Sequence, residues 1–271
     1  QRDDRDGEEM LADNAILADS VQMPRFLMFN YCAYDSAYAA KMTRLVRTRY
    51  PEAVLETFYS GTPADLSNVL KETDIVLIGY ATTAPAGLKQ YGNILKRYVQ
   101  QGGAVVLTGT HEYGTLQQLG LFDIDFGYYC TGTSVKTTNI SHPLLNSLPS
   151  AFTPDDYAYP LDISDPAFVT IAEVRGYPVA GYKLFGNGKI AYLGLEYYYD
   201  ELPSVQLLYN ALRWVSPPVS TTATNPSLVA SNRLVRRQEE VLVAGSGSKG
   251  PRLNLKVYPN QKYEKANLDL E

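Results

Sequence analysis

The alternation of short apolar segments with segments of helical spacing is the feature of this sequence that most restricts its fold. Four segments in the first half are apolar enough to form buried strands: residues 25–30, 53–58, 74–79 and 104–108. Apolar side chains recur at helical intervals in the segments between and after them, which are residues 36–50, 63–72, 85–101 and the region around 115–119. Strands that alternate with helices of this length build βαβ units. The sequence therefore predicts an α/β fold with a doubly wound, mainly parallel sheet.

The second half of the chain has a different pattern. Residues 168–174, 179–184 and 189–195 have the character of short strands separated by glycine, proline and asparagine turns. Strands spaced this closely predict an antiparallel extension of the sheet. Residues 202–215 then have the spacing of a final amphipathic helix, whose apolar side is expected to cover the sheet.

Both ends of the chain differ from this regular central part. Residues 1–24 are acidic without clear periodicity and predict an extended N-terminal arm. The α/β domain is expected at 25–216, followed by a stiff, solvated Ser/Thr/Pro linker at 217–232. Residues 233–271 alternate between apolar and polar side chains in two places, which predicts a β-type C-terminal extension. Because two strands are marginally stable alone, the extension is expected to pair with the domain, with a neighbouring chain or with residues outside this sequence.

Composition argues against several classes of function. The formal net charge of −5 over 271 residues gives no broad basic surface for nucleic acid. The longest apolar runs, such as residues 74–79, have the length of a strand, so no membrane span is expected. Tyrosine is abundant, with 22 residues against 8 phenylalanines, and its apolar ring and polar tip suit interaction surfaces. The same abundance also fits ordinary strand residues.

Cys32 and Cys130 are the two cysteines, too few for a metal framework or a disulfide scaffold. They fit either one long-range disulfide in an oxidising compartment or two buried thiols. Cys32 also follows the first predicted strand at the edge where ligands bind, which makes a nucleophile a third alternative. No secretion leader is visible in the polar first residues, although a leader already removed would leave the same start.

Several segments at the ends of the predicted strands resemble a known family. They are Gly102-Gly-Ala-Val-Val-Leu-Thr-Gly-Thr-His111, Ser141-His-Pro-Leu-Leu-Asn-Ser-Leu148, Pro154-Asp-Asp-Tyr157, Gly188-Lys-Ile-Ala-Tyr-Leu-Gly194 and Leu208-Tyr-Asn-Ala-Leu-Arg-Trp214. In order and spacing they are similar to the trehalose-utilisation (ThuA-like) branch of the class I glutamine amidotransferase-like superfamily, over roughly residues 25–215. The resemblance implies a flavodoxin-like, amidotransferase-like α/β domain.

Active members of this superfamily place a cysteine nucleophile on a tight strand-to-helix turn, with a histidine and a glutamate after the last strand. The resemblance puts Thr110 at the cysteine and Glu112 at the second glycine of that turn. It puts Tyr198 at the histidine and Asp200 at the glutamate. Threonine and tyrosine supply neither a thiolate nor the base that activates one. The resemblance therefore implies a domain without amidotransferase activity, and neither a catalytic residue nor a cofactor is expected.

Two histidines leave another chemistry open at the same edge. His111 and His142 both lie in the resembling segments, with these acidic residues as prospective neighbours: Glu112, Asp155, Asp156, Glu196 and Asp200. Two imidazoles and a carboxylate can bind a transition metal, and a histidine–carboxylate pair can catalyse hydrolysis. The alternative is structural, with His111 bonded to backbone at a strand end and His142 starting a turn. We favour the structural roles and expect no metal site; for an enzyme, the catalytic residues are expected among His111, Glu112, His142, Asp156 and Glu196.

The tail carries a second resemblance. Leu253-Asn-Leu-Lys-Val-Tyr-Pro-Asn260, followed by Asn267-Leu-Asp-Leu270, is similar to the opening of the β-sandwich sorting domain of type IX secretion cargo in Bacteroidota. Gln261 stands where that family has a second proline, and the remaining strands of that domain are absent from this sequence. The resemblance implies an extracellular or surface-attached protein in which Cys32 and Cys130 can be oxidised. A cytoplasmic location is the alternative.

Three functions are compatible with these features. The first is a non-catalytic amidotransferase-like module of an exported surface or filament protein, which associates with itself or with another surface protein through its terminal arms. The second is a carbohydrate-active hydrolase or isomerase, which the link of the ThuA-like branch to sugar metabolism implies. The third is a glycan-binding surface protein without turnover, with Tyr197, Tyr198 and Tyr199 as the expected binding surface. We favour the first.

Overall fold

A computed structural model of the chain describes residues 23–31, 36–80, 86–110, 113–200 and 202–217. The predicted N-terminal arm up to residue 22, the linker beyond Pro217 and the C-terminal extension lie outside these residues. So do Cys32, His111 and Glu112.

The described part contains eleven strands and five α-helices. In chain order they are β1 (Phe26–Phe29), α1 (Ser36–Arg49), β2 (Leu55–Phe58), α2 (Pro63–Leu70), β3 (Ile75–Ile78), α3 (Leu88–Gln100), β4 (Ala104–Thr108), α4 (Tyr113–Leu119), β5 (Ile124–Gly127), β6 (Val135–Thr137), β7 (Ala151–Phe152), β8 (Leu161–Ile163), β9 (Val169–Val174), β10 (Tyr177–Phe185), β11 (Gly188–Leu193) and α5 (Leu202–Val215). A short 3-10 helix, Pro143–Leu145, lies between β6 and β7.

Nine of these strands form one sheet in the order β2-β1-β3-β4-β11-β10-β9-β6-β7. The strands from β2 to β11 run parallel to one another. β10, β9, β6 and β7 then continue the sheet in antiparallel fashion. β5 and β8 pair separately as a two-stranded antiparallel sheet. The predicted α/β fold, with a doubly wound, mainly parallel sheet and an antiparallel extension, is confirmed.

The strands between α4 and β9 were not predicted from the sequence. β5, β6, β7 and β8 have only two to four residues each. Several of their side chains are polar or exposed, including Asp125, Phe126 and Lys136. Strands of this kind are held by their pairing partners and not by an apolar run of their own, so no local pattern marks them.

Helices cover both faces of the sheet and create two apolar layers. On β3, Ile75 and Leu77 face the layer that α1 and α5 complete, whereas Val76 and Ile78 face the layer of α2, α3 and α4. All four side chains are buried. Because the central strands are covered on both sides, their sequences are continuous apolar runs. Among the described helices, none combines the length and the apolar character needed to cross a membrane.

The parallel strands bring four chain segments to one edge of the sheet. β1, β3, β4 and β11 end there, and the chain continues at Asn30, Gly79, Gly109 and Gly194. In open α/β sheets, ligands bind beyond the carboxyl ends of the parallel strands. We call this side the carboxyl edge.

Gly92 permits the crossing of α3 and α4. It lies within α3, and a β-carbon at this position would collide with the backbone of Leu119 in α4. Alanine is a better helix former than glycine by about 1 kcal/mol, so helix propensity alone predicts that Gly92→Ala stabilises the protein. Overpacking against backbone costs about 1–3 kcal/mol or more. We expect Gly92→Ala to lower the free energy of unfolding, measured by urea denaturation, by about 2 kcal/mol.

Gln90→Ala is the matched control, because Gln90 is exposed on the same helix. This substitution is expected to leave the free energy of unfolding unchanged or slightly higher. A Gly92→Ala protein as stable as the Gln90→Ala protein would contradict the close crossing.

Candidate functional site at the carboxyl edge

The chain segment after β11 is held between two neighbours at the carboxyl edge. On one side, Gly109 donates its N–H to the carbonyl of Leu195 at 3.2 Å. On the other side, Tyr159 donates to the carbonyl of Gly194 at 2.7 Å, and Glu196 donates to the carbonyl of Tyr157 at 3.0 Å. This pairing brings residues 156–159 alongside residues 194–196.

The side chain of Glu196 lies at the centre of this contact. It is 6% exposed, and the hydroxyl of Tyr159 donates a hydrogen bond to Glu196 Oε2 at 3.0 Å. The carboxyl of Asp156 also lies within hydrogen-bonding reach of the Glu196 carboxyl. Asp156 itself is only partly buried, so the pair connects the protein interior to the surface.

Burial of the carboxyl raises the pKa of Glu196 to about 7, and the negative charge of Asp156 and the hydrogen bond between the two carboxyls act in the same direction. The hydrogen bonds from the Tyr159 hydroxyl and the Tyr157 backbone amide oppose this increase, because they stabilise the ionised form. Near neutral pH the Glu196 carboxyl is therefore present in both its protonated and its ionised form. The Glu196 carboxyl can therefore either accept or donate a hydrogen bond under physiological conditions.

Tyrosine rings surround Tyr198, the residue that the sequence resemblance puts at a histidine position. Tyr198 packs edge-on against Tyr38, with 5.2 Å between ring centroids, and lies 6.4 Å from Tyr80. The hydroxyl of Tyr38 donates to Thr108 Oγ1 at the end of β4, at 2.9 Å. Tyr198 is thus part of the packing between α1 and the sheet.

Thr110, which the sequence resemblance puts at a cysteine position, is covered. Thr110 is 4% exposed. Just before it, the ring of Tyr159 lies so close to Gly109 that a β-carbon there would collide with the ring. The Tyr159 ring therefore covers the end of β4 at Gly109.

A line of aromatic rings leads from the carboxyl pair to the surface. Tyr157 lies 6.3 Å from Tyr159 and 5.5 Å from Tyr129, measured between ring centroids. Tyr129 is 56% exposed and Tyr157 is partly buried. We call Tyr129 and Tyr157, together with Asp156 and Glu196, the tyrosine–carboxyl site.

The three consecutive tyrosines predicted as a binding surface have different environments. Tyr197 is fully buried, Tyr198 is partly buried, and Tyr199 is 59% exposed. They do not form one exposed face, because the chain at this point passes from the sheet into the turn before α5. Of the three, only Tyr199 presents most of its ring to solvent.

Asp200 is directed away from the carboxyl pair. It forms ion pairs with Lys41 and Arg44 on α1, both at 2.8 Å. The hydrogen bonds from these two side chains hold the pKa of Asp200 below its ordinary value. Asp200 therefore connects the end of the sheet to α1.

His142 lies at the other end of the sheet from Glu196. Its Nδ1 accepts a hydrogen bond from the backbone N–H of Leu144 at 3.2 Å, as the cap of the 3-10 helix. Its ring stacks on Tyr182 at 4.2 Å and meets Trp214 edge-on at 5.1 Å. Burial lowers the pKa of His142, and the charge of Lys189 lowers it further. Lys189 stands at the start of β11, which is roughly 20 Å long, whereas Glu196 follows its end.

Of the five residues expected for an enzyme, the structure brings Asp156 and Glu196 together and places His142 elsewhere. The other two, His111 and Glu112, are outside the described residues, as is Cys32. Cys130 is a free, partly buried thiol, and its backbone pairs with that of Ala158. No group of three or more His, Cys, Asp or Glu side chains in the described part is arranged to hold a metal ion.

Sequence reasoning did not identify Tyr159, Tyr157 or Tyr129. The segment Pro154-Asp-Asp-Tyr157 is one of those that carry the family resemblance, and it supplies Asp156 of the tyrosine–carboxyl site. The available sequence signal was the alternation of tyrosines at 157 and 159. These two residues flank Ala158, whose backbone pairs with Leu195 just after β11.

Comparison with known proteins supports the fold. No protein family model matches the sequence, and no curated protein matches it. Among solved structures, a ThuA-like protein from Bacteroides uniformis superposes with a TM-score of 0.54 at 17% identity, covering 73% of this chain and 94% of that one. A ThuA-like protein from Parabacteroides merdae gives a TM-score of 0.52 at 13% identity, covering 76% and 94%. A cytoplasmic protein from Salmonella typhimurium gives 0.50 at 12% identity, covering 71% and 100%. The chain therefore has the fold of ThuA-like proteins.

The raised pKa of Glu196 predicts how the stability of the protein depends on pH. A carboxyl whose pKa rises on folding binds its proton more tightly in the folded state, so its contribution to stability falls as the pH rises between the two values. For Glu196 this interval runs from the ordinary value of 4.5 to about 7. Glu196→Gln retains an acceptor for Tyr159 but removes the titration. We expect the free energy of unfolding of Glu196→Gln, relative to the wild type, to increase between pH 4.5 and pH 8 by roughly 1–3 kcal/mol.

The measurement is urea denaturation of both proteins at several pH values, so that the other titrating groups cancel in the difference. Glu52→Gln is the control, because Glu52 is an exposed carboxyl outside the site. Parallel stability curves for the wild type and Glu196→Gln would show that Glu196 does not have a raised pKa.

Proposed function

We propose that this chain is a non-catalytic module with a ThuA-like fold, which acts in binding or assembly as part of an exported surface or filament protein. One observation carries the first half of this proposal. At the two positions where related active enzymes place their nucleophile and base, Thr110 is buried and Tyr198 packs against Tyr38. Neither side chain supplies a thiolate or an imidazole at these positions, which supports a non-catalytic role.

The second half of the proposal, export and assembly, rests on the sequence. The tail resemblance to a type IX sorting domain supports a location outside the cell. The alternating segments of 233–271 support pairing with a sheet edge, which gains main-chain hydrogen bonds without a large pocket. A head-to-tail contact of this kind generates a filament, and a two-fold contact generates a dimer.

Removal of the terminal segments tests the assembly role. We expect a chain without residues 1–24 or without residues 233–271 to remain folded by circular dichroism but to lose self-association in sedimentation velocity over a concentration series. A chain in which residues 233–271 are scrambled is the matched control for the C-terminal deletion, because it keeps length and charge. This control is expected to lose association as well. Truncated chains that associate like the full chain would contradict an assembly role for the arms.

A second candidate function is glycan binding at the tyrosine–carboxyl site. Tyr129 and Tyr157 offer ring faces that suit the apolar faces of sugars, and Asp156 and Glu196 offer oxygens that accept hydrogen bonds from hydroxyls. A carbohydrate-active hydrolase or isomerase remains the enzymatic alternative. The two carboxyls lie within hydrogen-bonding reach, whereas two-carboxylate glycosidases separate theirs by about 5 Å or more to fit the substrate. This geometry favours binding over glycoside hydrolysis.

A glycan array followed by calorimetry with the best ligand tests this candidate. We expect Tyr157→Ala and Tyr129→Ala each to weaken affinity by about tenfold, which corresponds to roughly 1.4 kcal/mol. Tyr59→Ala and Tyr199→Ala are the controls, because both tyrosines are exposed outside the site. Equal losses in all four variants, or a loss confined to Tyr199→Ala, would place the binding surface elsewhere.

A further inference from the structure

Three aromatic rings pack together at the end of the sheet opposite the carboxyl edge. The ring of His142 stacks on Tyr182 with 4.2 Å between centroids, and each of these two rings meets Trp214 at 5.1 Å. All three side chains are partly buried. We call His142, Tyr182 and Trp214 the histidine cluster. None of its members belongs to the tyrosine–carboxyl site.

The histidine cluster joins three elements of the fold. Tyr182 comes from β10, Trp214 from the last turn of α5, and His142 from the position just before the 3-10 helix. That helix has other attachments, because Leu144 is fully buried and the side-chain amide of Asn210 on α5 donates to the Leu144 carbonyl at 3.0 Å. The His142 ring is therefore a separate attachment, which can change while the 3-10 helix stays on α5.

The hydrogen bond of His142 requires a neutral imidazole. Its Nδ1 accepts from the backbone N–H of Leu144 at 3.2 Å, so the proton of the neutral ring is on Nε2. A second proton on Nδ1 would set two N–H donors against each other. The N–H of Leu144 would then lose its acceptor at a buried residue, which is more costly than the ordinary contribution of one hydrogen bond.

The groups around His142 oppose its protonation. The apolar rings of Tyr182 on β10 and Trp214 on α5 face it. From β11, Lys189 donates to the Trp214 carbonyl at 2.6 Å, and its Nζ lies 5.1 Å from the Trp214 ring centroid. Burial lowers the pKa of His142, and the charge of Lys189 lowers it further. Residues 137–150 contain no other ionisable side chain that could offset this.

A charged imidazole gains less from the histidine cluster than it loses. Cations are attracted to aromatic faces, which favours a protonated ring in this position. The ring of Trp214, however, is already in contact with the ammonium of Lys189, and a second positive charge beside it is repelled. Loss of water from the charged ring and loss of its hydrogen bond act in the same direction. Protonation therefore favours rotation of the ring into water.

We propose that the histidine cluster is an acid-sensitive switch: when His142 is protonated, its ring leaves Tyr182 and Trp214, and the faces of those two rings become exposed. Leu144 and Asn210 keep the 3-10 helix on α5, so the change is confined to this end of the sheet. The switch does not depend on the proposed role in binding or assembly.

The direction of the pH dependence follows from the lowered pKa of His142. A base of this kind takes up a proton less readily in the folded state than in the unfolded state. Its contribution to stability is therefore complete above the ordinary value of 6.5 and is lost as the pH falls below it. The rings are packed at neutral pH and separate in acid.

Fluorescence of Trp214, the one tryptophan of the chain, tests the switch. We expect acrylamide to quench wild-type emission roughly twofold more strongly in acid than at neutral pH, with a midpoint below pH 6.5. His142→Asn is the matched variant, because asparagine accepts a hydrogen bond at a helix N-terminus and does not titrate. Quenching in this variant is expected to be independent of pH. Circular dichroism at each pH reports that the fold is intact.

Removal of the charge on Lys189 gives a second measurement. Lys189→Gln keeps a donor for the Trp214 carbonyl but removes the charge that opposes protonation of His142. The midpoint of the quenching transition is expected to move to higher pH in this variant. Lys89→Gln is the control, because it removes the same charge from an exposed position on α3. Its midpoint is expected to match that of the wild type.

Hydrogen exchange at Leu144 distinguishes movement of the ring from titration without movement. We expect this amide to exchange severalfold faster in the wild type than in His142→Asn in acid, and at equal rates at neutral pH. Equal rates at both pH values would overturn the switch, because the hydrogen bond to Nδ1 would then be intact in acid. Quenching of Trp214 that is independent of pH in the wild type, or that changes equally in His142→Asn, would overturn it as well.

Discussion

The pairing of residues 157–159 with residues 194–196 is the contact on which the carboxyl edge depends. Three backbone hydrogen bonds hold the chain after β11 between Gly109 and this segment. They fix the position of Tyr159, whose ring then covers Gly109 and whose hydroxyl reaches Glu196. The same hydrogen bonds bring Asp156 next to Glu196. One backbone contact thus both places the Tyr159 ring over Gly109 and brings Asp156 towards Glu196.

The carboxyl pair lowers the stability of the folded protein, so its presence calls for a functional explanation. A buried carboxyl loses hydration, and a second carboxyl beside it adds repulsion, so Glu196 is ionised only near neutral pH. The hydroxyl of Tyr159 and the amide of Tyr157 recover part of that cost. An apolar residue at 196 would pack with less penalty. Departures from local packing rules concentrate at functional sites, and this departure lies where ligands bind in the fold.

The sequence predicts the parts of this structure that local patterns encode. Residues 74–79 and 104–108 are continuous apolar runs because both sides of the central sheet are covered, and their strands were predictable. Thr110 and Tyr198 were placed by resemblance. The contact between Glu196 and Tyr159 joins residues far apart in sequence through two short bridges, which leave no periodic signal. His142 takes the structural role that the sequence favoured, since it caps the 3-10 helix that begins at Pro143.

Helix α1 contacts the carboxyl edge near its beginning and the end of α5 just beyond its last residue. At its beginning, α1 contributes Tyr38 to the rings around Tyr198, and further along, Lys41 and Arg44 hold Asp200. At its end, Tyr50 lies beside Ser216, where the tail departs. Helix α1 therefore joins the packing at the carboxyl edge to the end of α5 within one rigid element.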